Sequence, residues 1–177
     1  MKTIAIAAAG GFIFAAACVQ AATIEVDPSR SRIQVDVKAT GHAFTGDLKK
    51  YTLNATGKPS GLDLAWDFND LKTGEEKRDK EMIKWLGGGN PKGAFAFVKS
   101  WEETATGGKA QGMLTINGVA KSIAFPYTVK TEGGWVTIDG KVTINYQTFN
   151  LPVIRTMAVM TVNPELAVRF HLVGKLK

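Results

Sequence analysis

Cysteine is almost absent from this chain of 177 residues, which contains only Cys18. A single cysteine excludes a disulfide-stapled scaffold and a zinc site built from several thiolates. Charged residues make up 21% of the sequence and hydrophobic residues 45%. This balance is typical of a folded globular protein, and it excludes a disordered tail and a multi-pass membrane protein. The length is that of one domain.

Several motifs that carry catalytic chemistry are also missing. No glycine-rich loop ends in Gly-Lys-Ser/Thr, and no Gly-x-Ser-x-Gly nucleophile elbow occurs. The two histidines, His42 and His171, come from unrelated segments and do not make a metal site. We therefore expect no enzyme, no metal and no cofactor. One alternative stays open, an enzyme that acts on a bound molecule through His42, because histidine is the residue type most often used for acid–base catalysis.

The first 21 residues have the pattern of a secretory signal peptide. Lys2 gives a positive start, and residues 3–19 carry no charge. Small or modest residues then precede a cleavage site after Ala21. We predict a signal peptide over residues 1–21, a single folded domain over residues 22–177 and a location in the periplasm. Lipidation at Cys18, after Ala15-Ala16-Ala17, is the alternative.

Alternation of apolar and polar residues dominates the rest of the sequence. Ile33, Val35 and Val37 occupy every second position of Arg32–Lys38, as in a half-buried strand. The same pattern recurs in four further stretches: Gly61–Asp70, Ser122–Lys130, Lys141–Thr148 and Leu166–Val173. About eight short antiparallel strands in a domain of this size favour a barrel or a sandwich.

Turn residues separate these stretches. Asn117-Gly118 and Asp139-Gly140 are strong hairpin signals because both residue types tolerate positive φ, and Gly133-Gly134 is a weaker one. Pro126 lies inside an alternating stretch and predicts an edge strand or a bulge, since proline has no backbone N–H.

One segment has helical spacing instead. Thr73 and Glu76 are spaced as a capping box, in which Thr73 accepts from the Glu76 amide. Apolar residues at helical intervals follow, and Gly87-Gly88-Gly89 ends the pattern. The sequence predicts one short helix near residues 75–86 that lies over one end of the barrel.

The net charge of +6 and the distribution of aromatic residues indicate what kind of molecule the protein binds. The basic residues form no stripe interleaved with aromatics, so we expect no nucleic acid. A mildly basic protein suits acidic head groups or an anionic membrane surface instead. Aromatic residues on most strands fit two interiors, a filled core or a cavity for one small ligand.

Four segments, in order, resemble the YceI-like family. Asp70–Asp79 contains Thr-Gly-x-x-x-Arg-Asp, and Val26–Ser31 contains Asp-Pro-x-x-Ser. Asn90–Ser100 is similar to the Pro-x-x-x-Phe…Lys-Ser strand, and Gly112–Lys121 to Gly-x-Leu-Thr-Ile-x-Gly-Val-Thr-Lys. The chain departs from the family pattern at Ile144–Asn150, where the basic residue, the acid and the glycine are missing.

The resemblance implies an all-β, lipocalin-like antiparallel barrel of about eight strands, and a periplasmic carrier of a long-chain amphiphile such as a polyisoprenoid or an isoprenoid quinone. A homodimer and contact with a membrane surface are further expectations. Lys38 and Lys77 are additional cations for an acidic head group. The candidate ligand-binding residues are Val37, His42, Phe44, Trp66, Phe68, Arg78, Phe95, Phe97, Phe125, Tyr127, Trp135, Tyr146, Phe149 and Arg155. The competing hypothesis is a secreted, stress-related interaction module with a packed core, which pairs with a membrane cytochrome.

Overall fold

A computed structural model describes residues 23–56, 62–156 and 160–176. The predicted signal peptide lies outside these residues. The described chain contains one helix, α1 (Glu76–Trp85), and two 3-10 turns, Phe68–Asp70 and Tyr146–Phe149. The strands are β1 (Thr23–Val26), β2 (Arg32–Ala39), β3 (His42–Leu48), β4 (Thr52–Thr56), β5 (Asp63–Asp67), β6 (Leu71–Lys72), β7 (Lys92–Thr104), β8 (Gly107–Ile116), β9 (Val119–Glu132), β10 (Trp135–Asn145), β11 (Arg155–Thr156), β12 (Met160–Thr161) and β13 (Glu165–Leu176).

The antiparallel pairings return to their starting strand and form a barrel. The order is β1-β4-β5-β7-β8-β9-β10-β13, and β13 then pairs with β1. Strand β13 also pairs with β2, which continues through β3 to β6. Three positions around the wall are therefore filled by broken strands, namely β1 with β2, β3 with β4, and β5 with β6. These breaks explain why the strand count exceeds the predicted eight while the predicted architecture is confirmed.

The first break is built by the Asp-Pro-x-x-Ser segment. The Asp27 carboxylate accepts hydrogen bonds from the Ser29 amide at 2.9 Å and the Ser29 hydroxyl at 2.6 Å. The buried Ser31 hydroxyl donates to the Asp27 carbonyl oxygen at 2.7 Å and accepts from the Val173 amide at 2.9 Å. The turn between β1 and β2 is thereby fixed to β13, so both strands share one neighbour.

Alternation sorts the side chains between the two faces of the wall. On β2, Ile33, Val35 and Val37 face the interior of the barrel. Asp36 points outward and pairs with Arg169, with N···O distances of 2.6 and 2.8 Å. Hydrogen bonding from Arg169 lowers the pKa of Asp36. The predicted half-buried strand is confirmed.

Two predicted turns have different outcomes. Asn117 and Gly118 form the β8–β9 turn with φ of 47° and 83°. The turn predicted at Asp139 and Gly140 is wrong, because both residues lie inside β10 and pair with β9 and β13. Gly133 and Gly134, the weaker signal, make the β9–β10 turn instead.

Pro126 lies inside β9 rather than on an edge strand. It pairs with Lys109 of β8 on one side. On the other side, the β9–β10 ladder ends at Tyr127 and Gly140, one residue C-terminal to the proline. Pro126 therefore lies just beyond the end of the β9–β10 ladder, where no backbone N–H is needed for pairing with β10. On this side, β9 is locally an edge, which is where proline is tolerated.

The predicted helix is present, but its predicted capping box is wrong. Glu75 is the N-cap residue and makes no side-chain capping bond. The Thr73 hydroxyl donates to the Asp79 carboxylate at 2.6 Å, and the Thr73 amide donates to the same oxygen at 3.0 Å. Asp79 therefore takes the role expected of Glu76, and it ties α1 to the end of β6. No helix within the described ranges is long and apolar enough to span a membrane.

Candidate ligand cavity

The interior of the barrel is hollow. A cavity of about 1260 Å³ runs inside the wall and is lined largely by aliphatic and aromatic side chains. Twelve of the fourteen candidate residues line it: Val37, His42, Phe44, Trp66, Phe68, Arg78, Phe95, Phe97, Phe125, Tyr127, Tyr146 and Arg155. Of the two additional cations, Lys77 lines the cavity and Lys38 does not.

Trp135 is not on the cavity wall. The Arg30 guanidinium lies 4.2 Å from the centre of its ring, and Lys175 Nζ lies 5.7 Å away. Its neighbours Val136 and Ile138 set the parity of β10, since both face the cavity. An odd-numbered residue at the start of this strand therefore points to the outside.

Phe149 is not on the wall either, although it is only 2% exposed. It belongs to the 3-10 turn Tyr146–Phe149 and packs into the hydrophobic core. The turn breaks the period of two that continues along β10, so strand alternation does not predict where this ring points.

Glycines on the wall make room for the aromatic rings. A Cβ atom at Gly93 would overlap the Trp66 indole, and one at Gly140 would overlap the Phe170 ring. Gly112 stands in the same relation to Phe95. Each ring covers a glycine of the adjacent strand and lies against the wall. This packing leaves the centre of the barrel open.

Two of these rings, those of Phe95 and Phe170, form a row along the wall with the Phe125 ring between them. The Phe95 and Phe125 ring centroids are 5.8 Å apart, and those of Phe125 and Phe170 are 5.4 Å apart. The rings come from β7, β9 and β13, and the glycines beneath Phe95 and Phe170 come from β8 and β10. Burial raises the pKa of the nearby Tyr127, and the Glu103 carboxylate raises it further. This part of the wall therefore stays uncharged at physiological pH.

Among the described residues, charged side chains line the cavity at one end only. We call this the helix end, which consists of α1, the β2–β3 turn and the arm that carries β11 and β12. The Arg78 guanidinium lies 4.0 Å from the centre of the Phe44 ring and 2.6 Å from the Glu75 carboxylate. His42 stacks on Phe44 with ring centroids 6.0 Å apart. The lining residues with acidic or basic side chains are His42, Glu75, Lys77, Arg78, Glu81, Lys84 and Arg155.

The arm over the helix end is held by a buried tyrosine that the sequence did not single out for this role. Tyr146 is 1% exposed, and its hydroxyl accepts from the Ile154 amide at 3.3 Å and donates to the Val162 carbonyl oxygen at 3.1 Å. Trp85 packs edge-on against Tyr146, with centroids 5.2 Å apart, and donates to the Pro152 carbonyl oxygen at 2.9 Å. The helix and the arm therefore share one aromatic contact.

The inward face of α1 also contributes to the wall. Met82 and Trp85 line the cavity alongside Val153 of the arm. Helical spacing of apolar residues is the signal that finds the first two, whereas Val153 lies outside any periodic element. Within the described residues, no group of three or more His, Cys, Asp or Glu side chains is placed to hold a metal ion.

The second histidine lies on the outer surface. His171 Nδ1 is 2.6 Å from the Asp139 carboxylate, and both side chains are about half exposed. The structure places this histidine on the opposite side of the barrel wall from the cavity.

Comparison with known proteins places the chain in a family. The YceI-like domain matches residues 24–174. The structure is similar to BcnA of Burkholderia cenocepacia, with a TM-score of 0.71, 20% identity, and coverage of 84% of this chain and 99% of that chain. It is also similar to a polyisoprenoid binding domain from Saccharophagus degradans, with a TM-score of 0.70, 15% identity, and coverage of 88% and 99%.

The YceI protein of Campylobacter jejuni is more distant, with a TM-score of 0.54, 16% identity, and coverage of 100% of this chain and 99% of that chain. No curated protein sequence matches the chain significantly. At these identities the structural similarities show the fold. The family match is independent of them and spans most of the sequence, so the chain belongs to the YceI-like family.

Proposed function

We propose that this protein binds a long-chain amphiphile, an isoprenoid or a similar lipid, inside the barrel and carries it without chemical change. The observation that carries the proposal is the hollow, apolar lumen of about 1260 Å³. Two comparisons support it, namely the YceI-like family match and the similarity to a polyisoprenoid binding domain. The same cavity argues against the competing hypothesis of a packed interior.

The volume sets the size of the ligand. A methylene group is about as large as a water molecule, which occupies about 30 Å³ in the liquid, so the cavity has room for about 40 non-hydrogen atoms. Each CH₂ group that leaves water for this wall contributes about 0.8 kcal/mol. A tail of 15 to 20 carbons, as an order of magnitude, is thus enough for tight binding.

A carrier without catalysis fits the distribution of polar groups. Among the described residues, the acidic and basic lining side chains lie at the helix end, and the polar groups deeper on the wall are hydroxyls such as those of Tyr127 and Thr131. His42 stacks on the Phe44 ring, and the Arg78 guanidinium lies over the same ring. We propose on the same basis that His42 is a wall residue of the mouth.

The proposed place of action is the periplasm. The support for this part is the signal-peptide pattern of residues 1–21. A homodimer, a membrane-surface contact and a cytochrome partner stay predictions from the sequence, and the binding proposal does not depend on them.

The test is lipid extraction combined with a matched pair of variants. Val142 lines the cavity on β10, and the next residue, Thr143, is exposed on the outer face. Val142→Trp places a large ring in the lumen, whereas Thr143→Trp adds the same ring outside. Mass spectrometry of an organic extract is expected to find one lipid in the wild-type protein and in Thr143→Trp, and little in Val142→Trp.

A binding titration with isoprenoid quinones and fatty acids accompanies the extraction, so that an empty preparation is also informative. A wild-type protein that neither holds nor takes up any of these molecules would contradict the proposal. Equal binding by both tryptophan variants, each with an unchanged melting temperature, would show that the lumen is not the binding site.

A further inference from the structure

We propose that the amphiphile enters and leaves the lumen through the side of the barrel, at a seam between β9 and β10. The seam is formed by residues 120–126 of β9 and 141–145 of β10, which continue beyond the last paired residues of these strands without pairing to each other. This inference rests on the proposed function, because it assigns the route by which the ligand of that function reaches the cavity.

Strand pairing covers only part of this junction in the wall. Among the described residues, the β9–β10 ladder joins residues 127–132 to residues 135–140 and ends there. The junctions on either side are longer, since β8 pairs with residues 119–128 of β9, and β13 pairs with the whole of β10. Both margins of the seam are therefore held from behind by ladders, and no ladder joins them to each other.

Pro126 is the reason that the ladder ends at this point. The Val129 amide donates to the Thr106 carbonyl oxygen at 2.8 Å, so the odd-numbered residues of β9 direct their backbone groups toward β8. The backbone groups of the even-numbered residues therefore face β10. The next hydrogen-bonded pair of the ladder would join Pro126 to Lys141, and proline has no N–H to donate.

The inner side of the seam is the lumen. Ile123 and Phe125 line the cavity from β9, and Val142 and Ile144 line it from β10. Apart from Lys121 and Lys141, the exposed residues that border the seam have short side chains, namely Ala120, Ser122, Ala124, Pro126 and Thr143. An alkyl chain that passes between the margins would move from these short side chains directly onto the apolar wall.

The outer surface is concave where the ladder ends. A groove of about 880 Å³ lies there, and its lining residues include Pro126, Gly140 and Lys141. Tyr127 and Phe170 line both this groove and the lumen. At this point the groove and the cavity are separated by the thickness of these side chains.

The seam is packed by a turn instead of being paired by a strand. The 3-10 turn Tyr146–Phe149, which follows β10, contacts β9. Tyr146 and Phe149 are 1% and 2% exposed, so the turn contributes buried side chains to this part of the wall. Separating the margins breaks side-chain contacts and no ladder hydrogen bond, whereas opening the β8–β9 or the β10–β13 ladder would break many.

The experiment ties the two margins together with a reversible cross-link. Ala124→Cys and Thr143→Cys place thiols on opposite margins of the outer face, in a Cys18→Ser background. A bifunctional methanethiosulfonate joins the thiols, and a reducing agent releases them. The matched control is Lys130→Cys with Thr137→Cys, because these residues already pair in the closed part of the same two strands.

Stopped-flow transfer of a pyrene-labelled hexadecanoate from vesicles measures uptake, and the reverse transfer measures release. Cross-linking the seam is expected to slow both rates about tenfold. The dissociation constant stays unchanged, because a blocked route slows entry and exit by the same factor. Reduction restores the wild-type rates, and the cross-linked control keeps them throughout.

A second variant tests the seam without a cross-link. Pro126→Thr supplies the missing N–H opposite Lys141 and is expected to extend the ladder and slow exchange. Hydrogen-exchange protection of the new amide shows that the ladder has extended. Thr128→Val is the control, since it changes an exposed side chain of β9 without changing the backbone donors.

Two outcomes overturn the inference and leave lipid binding intact. The first is unchanged exchange after the seam has been cross-linked, or in Pro126→Thr once its new amide is protected. The second is equal slowing by the cross-linked control, which would assign the effect to the rigidity of the hairpin. A wild-type protein that takes up no ligand with an alkyl tail overturns the proposed function as well.

Discussion

The two ends of the cavity differ in what they offer a ligand. The helix end has seven lining residues with acidic or basic side chains. Its arm is held by the hydrogen bonds of the Tyr146 hydroxyl with Ile154 and Val162. The opposite end, which we call the hairpin end, lies near the β9–β10 turn and the pairing of β1 with β13. Among its described residues, the lining side chains are uncharged and include Ile24, Val129, Thr131, Val136 and Ile138.

This difference teaches how one barrel orients an amphiphile. The free energy of tail burial is spread over the whole wall and has little direction, because it scales with apolar area. Among the described lining residues, charge is present at the helix end alone, so only that end offers a polar head group a charged partner. At the hairpin end, the pairing of β1 with β13 closes the wall of the barrel.

The largest expected effect comes from breaking the closure at the hairpin end. A Cβ atom at Gly174 would overlap Ile24 and approach the Glu25 backbone, across the pairing of β13 with β1. We expect Gly174→Val to lower the free energy of unfolding by about 3 kcal/mol, as overpacking in a closed core does. Chemical denaturation measures this change.

The matched control for this substitution lies at the helix end. Gly41 has nothing within 4 Å of an added Cβ, and its φ of 81° is the only source of strain. Gly41→Ala is therefore expected to cost about 1 kcal/mol. A loss of stability at Gly174→Val no larger than at Gly41→Ala would contradict the role of the β1–β13 pairing as the closure.

A smaller effect is expected from releasing the arm at the helix end. Tyr146→Phe removes the hydroxyl that bonds both Ile154 and Val162, at a cost of about 1 to 2 kcal/mol for a buried group. We expect bound lipid to dissociate faster, which stopped-flow transfer to acceptor vesicles measures. Tyr127→Phe is the control, since this cavity residue lies outside the arm.

The arm prediction has a clear contrary result. If Tyr146→Phe and Tyr127→Phe release lipid at the same rate as the wild-type protein, the arm does not limit dissociation. The comparison between the two ends would then be reduced to charge alone.

The smallest effect is expected on the outer face, between the two ends. The pKa of Asp36 is lowered in the folded protein, first by hydrogen bonding from Arg169. The pair therefore stabilises the fold above the unfolded-state pKa of Asp, and this contribution is lost as the pH falls through the lowered value. Arg169→Gln should lower the melting temperature slightly at pH 7 and not at pH 2.

A matched control is available on β9, where the exposed Lys130 pairs with Glu132 at 2.6 Å. Lys130→Gln is expected to change the melting temperature at pH 7 less than Arg169→Gln does. The reason is that the side chains of Lys130 and Glu132 are both about three-quarters exposed, so water screens their attraction. A pH-independent effect of Arg169→Gln would show that the side chain acts through packing.

Much of the wall follows from local pattern. Period-two alternation placed Ile33, Val35 and Val37 on the inner face, and the positions predicted from β9 and β13 behave in the same way. Trp135 was misplaced because its aromatic character was counted without its parity on β10. Phe149 was misplaced because a 3-10 turn replaces the strand there.

Other features depend on contacts that local pattern does not contain. Asp139-Gly140 has the composition of a turn, yet Gly140 is needed beneath the Phe170 ring of the neighbouring strand. Thr73 and Glu76 have the spacing of a capping box, yet the Thr73 amide and hydroxyl donate to the Asp79 carboxylate instead. Whether the barrel is hollow or filled depends on which residues stand opposite each ring, so the strand register decides it.

Large rings lie over glycines of the neighbouring strands, so the width of the cavity depends on the size of the side chains at these positions. Trp66 rests on Gly93, and that groove opens into the lumen. Shortening the tryptophan would deepen a channel that is already continuous with the guest, without leaving a sealed void in the wall. A tail with branches or rings would then have more space beside Gly93. The size of the side chain at position 66 is therefore one determinant of the shape of ligand that fits the cavity.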